Sequence, residues 1–273
     1  MACRPIVASL ALILTLGCGG ADAGTGAPSK EVPRKKVRVV DSFPHDPRAY
    51  TQGLLSFGDQ LFESTGLRGR SSLREVDLAT GRVLRQVELP DALFGEGLAL
   101  VGPNLVQLTW TSGVARVYDR KTFRLLEEYR YSTQGWGLCF DGKRLVMSDG
   151  SSTLFFRDPR TFELQGQVNV RAAGEPRERL NELECVGNRV YANVYGTDWI
   201  LEIDPGSGAV TTAIDASGLL DPSEKRRADV LNGIAYRMGS GTFLLTGKLW
   251  PRVFEVEFVD LPAPSPPAAT PGS

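Results

Sequence analysis

A three-residue phrase occurs five times along the chain, and its period constrains the fold more than any other feature. The phrase has a variable first residue, then Gly or Glu, then Leu or Ile, and the copies begin 40 to 51 residues apart. An apolar run, a turn and a second β-rich run follow each copy. Repeats of this length are typical of propellers or solenoids. The copies are Gln52-Gly53-Leu54, Glu96-Gly97-Leu98, Trp136-Gly137-Leu138, Asn181-Glu182-Leu183 and Asn232-Gly233-Ile234.

A second repeated element lies between these phrases. It consists of an Asp, two further residues, and then Thr or Ser before Gly or Phe, with alternating apolar residues on both sides. Alternation around such a turn is typical of a β-hairpin, and the Asp side chain can accept a hydrogen bond from the backbone two residues on. We therefore assign a structural role, rather than metal binding, to Asp77, Asp119, Asp158 and Asp204.

Each period contains two hairpins, or four strands, which is the content of one propeller blade. The last period stops at VFEVEFVD, just before the C-terminal tail, and the N-terminal run KVRVVDSFP has the alternation of the missing strand. The repeats therefore predict an all-β, five-bladed β-propeller over residues 37–260, with the ring closed by the N-terminal strand. Such closure removes exposed sheet edges.

The two ends of the chain lack this pattern. Residues 1–18 have the outline of a secretory signal, and Gly17-Cys18-Gly19 resembles a bacterial lipoprotein cleavage site. The alternative is that the signal is cleaved near residues 21–23 without lipidation. Residues 19–36 are predicted to be a flexible tether and residues 261–273 a disordered tail. We expect an exported protein of the periplasm or cell envelope, held to a membrane only through a lipid anchor at Cys18.

Composition narrows the classes of partner and cofactor. The net charge is −1 and no long basic run is present, so nucleic acid is not an expected partner. A single histidine excludes a histidine-rich zinc site. No coiled-coil heptad or apolar stripe is present, which favours a monomer. Alignment of two repeats on Gly142 and Gly187 places Cys139 and Cys185 one register apart, on opposite faces, so we predict two buried free thiols, with a disulfide as the alternative.

In a propeller, the variable first residues of the five phrases would line one mouth of the central channel. Glu96 lies between two glycines, and a carboxylate half-buried by aromatic residues has a raised pKa that suits general acid–base chemistry. Lys248 follows an apolar run and could pair with Glu96 or stabilise a developing oxyanion. Trp110, Trp136 and Trp199 are predicted at the same end. An apolar pocket with a few convergent polar groups is the usual form of a small-ligand site.

Three further residues are open to more than one interpretation. Glu182 and Glu184 replace Gly and a small or apolar residue of the other copies, so they form either a buried polar network or a rival acid–base pair. His45 lies in Phe43-Pro44-His45-Asp46-Pro47, where a fixed loop role is favoured over a Ser-His-Asp mechanism.

Phrases distributed from residue 37 to residue 258 carry a family likeness. FPHDPRAYTQGL, FGEGLAL, GWGLCFDG, LNELECV, YANVYGTDWI and TGKLWP resemble the plant- and bacterial-type glutaminyl-peptide cyclotransferases. The resemblance implies a five-bladed propeller that converts the N-terminal glutamine of peptides or proteins to pyroglutamate and releases ammonia. The residues that match the family's site are Gln52, Phe94, Glu96, Trp110, Trp136, Asn181, Trp199 and Lys248.

The resemblance also implies a role for each group. Glu96 would move a proton from the α-amine to the departing ammonia, while Gln52 and Asn181 hold the reacting groups. Lys248 would stabilise the oxyanion or tune Glu96, and Phe94 and the tryptophans would enclose the substrate. No metal or redox cofactor is required for catalysis. Plant members carry a metal ion thought to be structural, but no site for one can be located in this sequence.

Two other functions compete with this interpretation. The first is a non-catalytic periplasmic propeller that binds peptides or acts as a scaffold. The second is a metal-dependent lactonase-like hydrolase, with Glu96, Asn181 and Asn232 as a weak ligand set; tryptophans fit poorly around a hydrated cation. Ammonia release and sensitivity to a chelator distinguish the three.

Overall fold

The computed structural model describes residues 31–261, which form an all-β architecture with one short helix. The first strand, β1 (Arg34–Pro44), begins at Arg34 rather than at the expected residue 37. The predicted signal, the lipidation site at Cys18 and nearly all of the predicted tail lie outside the described residues. None of the helices in that range is long and apolar enough to cross a membrane.

Three four-stranded antiparallel sheets follow one another along the chain. Within each, the strands lie side by side in chain order. The first sheet contains β2 (Thr51–Phe57), β3 (Gln60–Thr65), β4 (Ser72–Val76) and β5 (Val83–Glu88). The second contains β6 (Gly95–Val101), β7 (Asn104–Thr109), β8 (Val114–Asp119) and β9 (Leu125–Arg130). The third contains β10 (Leu138–Phe140), β11 (Leu145–Met147), β12 (Thr153–Arg157) and β13 (Leu164–Asn169).

The remaining strands form a small hairpin and one eight-stranded sheet. The hairpin pairs β14 (Arg171–Ala172) with β15 (Glu175–Pro176). The sheet begins with β16 (Leu180–Val186), β17 (Arg189–Val194), β18 (Trp199–Ile203) and β19 (Val210–Asp215). A helix, α1 (Pro222–Lys225), precedes the last three strands, β20 (Leu231–Arg237), β21 (Thr242–Gly247) and β22 (Arg252–Asp260). Its start carries a capping box, in which Asp221 and Glu224 each bind the other's backbone N–H.

The N-terminal strand joins the two halves of the eight-stranded sheet. β1 pairs with β22 in antiparallel register, as the alternation in KVRVVDSFP predicted, and so adds a fourth strand to β20, β21 and β22. Residues 34–36 also pair with β19 in parallel register, which connects the fourth and fifth sets of four strands.

The first strands of the five sets contact one another in sequence. β2 contacts β6, β6 contacts β10, β10 contacts β16, and β16 contacts β20, which returns to β2. Hydrophobic clusters lie between neighbouring sheets. One of them combines Phe62 and Leu73 of the first sheet with Leu98, Leu105 and Tyr118 of the second.

The turn aspartates have the structural role that the sequence predicts. Asp77 accepts hydrogen bonds from the backbone N–H and the hydroxyl of Thr80, at 2.8 and 2.6 Å. Asp119 makes the same pair of bonds with Thr122. These bonds to the charged carboxylates hold the pKa of Asp77 and of Asp119 below the usual range.

The prediction of two free thiols is wrong, because Cys139 and Cys185 form a disulfide with a Cα–Cα distance of 5.4 Å. The bond joins β10 to β16, the first strands of neighbouring sheets. Alignment on Gly142 and Gly187 is misleading because residues 141–144 make a longer turn than residues 187–188. Counted from the start of each turn, both cysteines occupy the same strand position and the same face.

Candidate active site

Four of the five repeated phrases lie at an irregularity in strand pairing. The register shifts between Thr51 and Gly53 in β2 and between Gly95 and Leu98 in β6, and the same occurs in β16 and β20. A β-bulge turns a side chain away from the ordinary alternation of a strand, and bulges are frequent beside active sites. The residues at these shifts are Gln52, Glu96, Asn181 and Asn232.

A second set of residues lies directly after the second strand of a set. Trp110 follows β7, Tyr195 follows β17 and Lys248 follows β21. Together with Gln52, Glu96 and Asn181 they border a cavity of about 290 Å³. Its lining consists of Tyr50, Gln52, Phe94, Glu96, Trp110, Trp136, Asn181, Tyr195 and Lys248.

Glu96 is the acid of this cavity, and its side chain is almost completely buried. Burial raises the pKa of its carboxyl well above the usual value, against the opposing effects of Lys248 and a hydrogen bond from Gln52. Gln52 Nε2 donates to Glu96 Oε1 at 2.8 Å, and Asn232 Nδ2 donates to Gln52 Oε1 at 3.2 Å. Asn232 thereby holds the Gln52 amide with its donor toward the carboxyl.

Lys248 is the basic residue that lines this cavity, and it is also buried. Its Nζ lies 4.8 Å from the centre of the Tyr50 ring and 5.0 Å from that of Tyr195. Burial lowers the pKa of Lys248, although the carboxylates of Glu96 and Asp229 act in the opposite direction. Desolvation thus moves both Glu96 and Lys248 toward their neutral forms, so each can gain or lose a proton nearer neutral pH than in water.

Asn181 contributes an amide to the cavity wall. Its side-chain oxygen is buried and has no hydrogen-bond partner among residues 31–261. Its backbone carbonyl accepts a hydrogen bond from Ser148 Oγ at 2.7 Å, which fixes the bulge. A buried acceptor without a partner is costly and is typical of a position that a ligand satisfies.

Two tryptophans form an aromatic wall through a shared acceptor. Trp110 Nε1 and Trp136 Nε1 both donate to Gln134 Oε1, at 2.6 and 3.0 Å. Phe94 meets Trp110 edge to face at 5.6 Å, and Tyr195 meets Trp136 in the same way at 5.6 Å. The rings are therefore held in place by contacts with one another.

Two glycines allow these rings to lie close to the backbone. A Cβ atom on Gly66 would come within 2.2 Å of the Phe94 ring, and one on Gly150 within 2.7 Å of the Trp136 ring. Gly150 also has a φ of +87°, which L-residues rarely adopt. A side chain introduced at either position would displace an aromatic wall of the cavity.

The placement of Trp199 in this site is wrong. Trp199 is the first residue of β18, the next strand outward, and it lines a separate cavity of about 670 Å³ beside Arg34 and Arg177. The guanidinium of Arg34 lies 5.8 Å from its ring centre. Tyr195, directly after β17, takes the position in the site that sequence reasoning gave to Trp199.

Sequence reasoning also missed two contributors. Tyr50 lies in the loop before β2, and burial raises its pKa to about 12, so the phenol is protonated at neutral pH. Gln134 lies two residues before a repeated phrase. Neither occupies a repeated position, although Tyr50 falls within the phrase FPHDPRAYTQGL that resembles the family.

Glu182 forms a buried polar network with the backbone, which decides between the two interpretations of this residue. Its oxygens accept hydrogen bonds from the backbone N–H groups of Leu54 and Ile234, at 3.2 and 2.8 Å, and its side chain is completely buried. Glu184 accepts from the N–H of Tyr236 at 2.7 Å. Neither lines the cavity that contains Glu96. Burial raises the pKa of both carboxyls, that of Glu184 to about 8.

No cluster of three or more His, Cys, Asp or Glu side chains suited to a metal ion occurs within residues 31–261.

A buried acid with a raised pKa, a desolvated lysine and fixed aromatic walls define a site for general acid–base chemistry on a small polar group. The chain matches the family of glutamine cyclotransferases over residues 11–258, and it belongs to that family.

Two relatives with known names are similar over most of their length. A glutaminyl-peptide cyclotransferase from Arabidopsis thaliana is 43% identical over 235 residues, which cover 84% of this chain and 73% of the relative. The crystal structure of the glutaminyl cyclase of Myxococcus xanthus is 40% identical, with a TM-score of 0.78 over 85% of this chain and 100% of that chain.

Proposed function

We propose that this chain is a glutaminyl-peptide cyclotransferase, an acyltransferase that converts the N-terminal glutamine of peptides or proteins to pyroglutamate. The observation that carries the proposal is the buried Glu96 carboxyl, with its raised pKa, in a cavity shared with Lys248. Membership of the glutamine cyclotransferase family supports it.

The reaction joins two groups of the same residue. The α-amine nitrogen attacks the γ-carboxamide carbon and forms the ring C–N bond, and the bond to the side-chain nitrogen then breaks. The proton lost by the amine leaves with that nitrogen as ammonia. Because both groups belong to one residue, a site that folds the side chain back toward the amine supplies much of the acceleration.

Glu96 carries the proton between the two nitrogens. Gln52 occupies Oε1, whereas Oε2 accepts no hydrogen bond from the described part of the chain and is available to the substrate. General acid–base catalysis is most effective when the pKa of the group lies near the working pH, and burial moves the Glu96 pKa in that direction.

The other polar groups orient the substrate and stabilise charge. Asn181 offers an unpaired amide oxygen, which suits an N–H of the carboxamide or the amine. Lys248 stabilises the negative oxygen that develops on the γ-carbonyl. Gln52 holds Glu96, and Phe94, Trp110 and Trp136 exclude water around the glutamine side chain. Trp199 has no contact role in this scheme.

The fold proposal is a five-bladed β-propeller. The four-stranded sets, the contact of β20 with β2 and the addition of β1 to the last set support it. The mouth of its central channel would then contain the cavity.

We also propose an exported monomer whose first 18 residues act as a secretory signal, with lipidation at Cys18 as the membrane attachment. The disulfide between Cys139 and Cys185 supports export, because disulfides persist in oxidising compartments. Catalysis needs no cofactor in this scheme, since the proton transfer and charge stabilisation are assigned to side chains.

Ammonia release from a Gln-Xaa dipeptide tests the function. The mature domain is compared with Glu96→Gln and with the wild type in excess chelator. We expect release that survives the chelator and is lost in the variant. A folded wild-type domain that binds the dipeptide without releasing ammonia would support the non-catalytic propeller, and loss of release in the chelator would support the metal-dependent hydrolase.

A further inference from the structure

His45, the single histidine of the chain, is buried between two hydrogen-bond acceptors. Its Nδ1 lies 2.8 Å from the backbone carbonyl oxygen of Trp250, and its Nε2 lies 3.1 Å from Oε1 of Glu63. A carbonyl oxygen can only accept, and an imidazole that donates from both nitrogens is protonated. The geometry is therefore that of an imidazolium bound to a carboxylate.

The surroundings of Glu63 favour its ionised form. Thr51 Oγ1 donates to Glu63 Oε1 at 2.7 Å, and the Arg74 guanidinium lies 3.7 Å from Oε2. A neutral Glu63 would lose much of the stabilisation from both groups. The shared proton consequently belongs to the imidazole rather than to the carboxyl.

The loop that carries His45 runs beside the turn that carries Lys248. His45 N donates to the Pro251 carbonyl at 2.9 Å, and Leu249 N donates to the Ala49 carbonyl at 2.7 Å. Thr51 Oγ1 also lies 3.3 Å from the carbonyl of Gly247. Residues 247–251 are thus held by contacts on both sides of Lys248.

This turn needs external support because of its backbone conformation. Leu249 has a φ of +60°, in the left-handed region that residues with a side chain rarely adopt. Such a conformation persists only where the surrounding structure imposes it. The Trp250 carbonyl, which His45 binds, belongs to the next residue along the chain.

We infer that His45, charged and paired with Glu63, holds the Lys248 turn in its active conformation through its hydrogen bond to the Trp250 carbonyl. Neither residue lines the cavity, so the pair acts through Lys248 and not on the substrate. The inference rests on the catalytic role proposed for Lys248. Glu63 belongs to β3, so the pair fixes the turn after β21 to the neighbouring four-stranded set.

The charged groups around the pair favour the protonated imidazole. Glu63 faces His45 from β3, Asp46 from its own loop and Arg74 from β4, while Lys248 and Asp229 border the supported turn. Burial alone would lower the pKa of His45, but the Glu63 carboxylate and the Trp250 carbonyl outweigh it, and the pKa is raised. The pKa of Glu63 is lowered: burial opposes this, but His45, Arg74 and Thr51 outweigh it.

Nitrogen NMR of the untagged domain, labelled with ¹⁵N-histidine, tests the charge state directly. The single histidine gives one pair of ring signals, so no assignment is required. We expect both ring nitrogens to be protonated at pH 7.5, where a free histidine is mainly neutral. A neutral ring at pH 7.5 overturns the inference, whether or not the protein releases ammonia.

Two variants separate the two hydrogen bonds of His45. His45→Gln places an amide nitrogen near the position of Nε2 and keeps the bond to Glu63, but it loses the bond to Trp250. His45→Asn places a nitrogen near Nδ1 and keeps the Trp250 bond, and it is combined with Glu63→Gln to avoid a buried unpaired carboxylate.

For His45→Gln we expect kcat to fall about tenfold with KM within twofold, and for the double variant we expect kcat within about threefold of wild type. Thermal unfolding checks that both variants are folded. Equal loss of kcat in the two variants, or loss in neither, overturns the positioning role. Absence of ammonia release from the wild type would instead refute the proposed function, while the NMR result would still decide the charge of His45.

Discussion

Glu96 and Glu182 occupy the first and the second position of the repeated phrase in two of its copies, yet their surroundings give them different roles. Both are buried, and burial raises the pKa of both carboxyls well above the usual value. Glu96 has a side-chain partner, Gln52, and lines a cavity. Glu182 has two backbone partners, in β2 and β20, and does not line that cavity. A raised pKa therefore does not identify a catalytic acid until its partners and its access to a cavity are known.

The largest expected effect is the contrast between Glu96→Gln and Glu182→Gln in activity. Glutamine at 96 keeps an oxygen for Gln52 but cannot exchange a proton, so kcat should fall about 10²- to 10⁴-fold. Glutamine at 182 should leave kcat within a few-fold. Steady-state ammonia release measures both, and equal losses would remove the distinction between the two acids.

The second contrast is the stability of the same two variants. Glutamine at 182 turns an amide NH₂ toward one of the two backbone donors, so one buried N–H loses its acceptor, at a cost of about 1–3 kcal/mol. The Glu96→Gln domain should be as stable as the wild type, since its one hydrogen bond remains. Urea unfolding, with the slope compared between variants, gives both values. A Glu96→Gln domain as unstable as Glu182→Gln would show that both carboxyls support the fold.

Access to the cavity can be tested with two tryptophans. Trp136 lines it and Trp199 does not. Trp136→Ala should lower kcat/KM about tenfold, equivalent to about 1.4 kcal/mol of lost aromatic contact. Trp199→Ala, the matched control, should have no measurable effect. The reverse order would place the substrate against β18 rather than in the cavity beside Glu96.

The last contrast concerns pH. Burial raises the pKa of Glu184 to about 8, whereas an unfolded glutamate titrates near 4.5. Its contribution to stability is complete below pH 4.5 and is lost as pH rises toward 8, because unfolding then releases a more acidic group. The Glu184→Gln variant lacks this pH-dependent contribution to stability. The stability difference between wild type and variant, measured by urea unfolding from pH 5 to 8, should therefore decline as pH rises; a constant difference would contradict the raised pKa.

Much of the architecture could be predicted from sequence because it depends on local patterns. Alternation, the turn aspartates and the incomplete last repeat predicted the hairpins and the pairing of β1 with β22. Period-two alternation reports which face is buried, and an Asp followed three residues later by Thr specifies a turn. Asp77 and Asp119 behave as this chemistry requires.

The site was predicted where it depends on the repeat and missed where it depends on register or on tertiary contact. Glu96 and Lys248 occupy repeated positions and were found. Cys139 and Cys185 were placed on opposite faces because two turns differ in length. Gln134 carries no periodic signal, since its importance comes from two indoles that approach it from different loops.

Because of the bulges at the starts of the first strands, the residues that determine the chemistry of the site differ from those that determine the fold. Three of the bulges present one side chain to the cavity, and the fourth presents Asn232 to Gln52. None of these side chains is used for strand alternation, so each position can change by mutation while the sheets keep their pattern. Gln52, Glu96 and Asn232 are linked by hydrogen bonds and would have to be exchanged together, whereas Asn181 makes no such bond to them. A protein built in this way can acquire a new reaction through a few coordinated substitutions, and it can lose one through a single substitution.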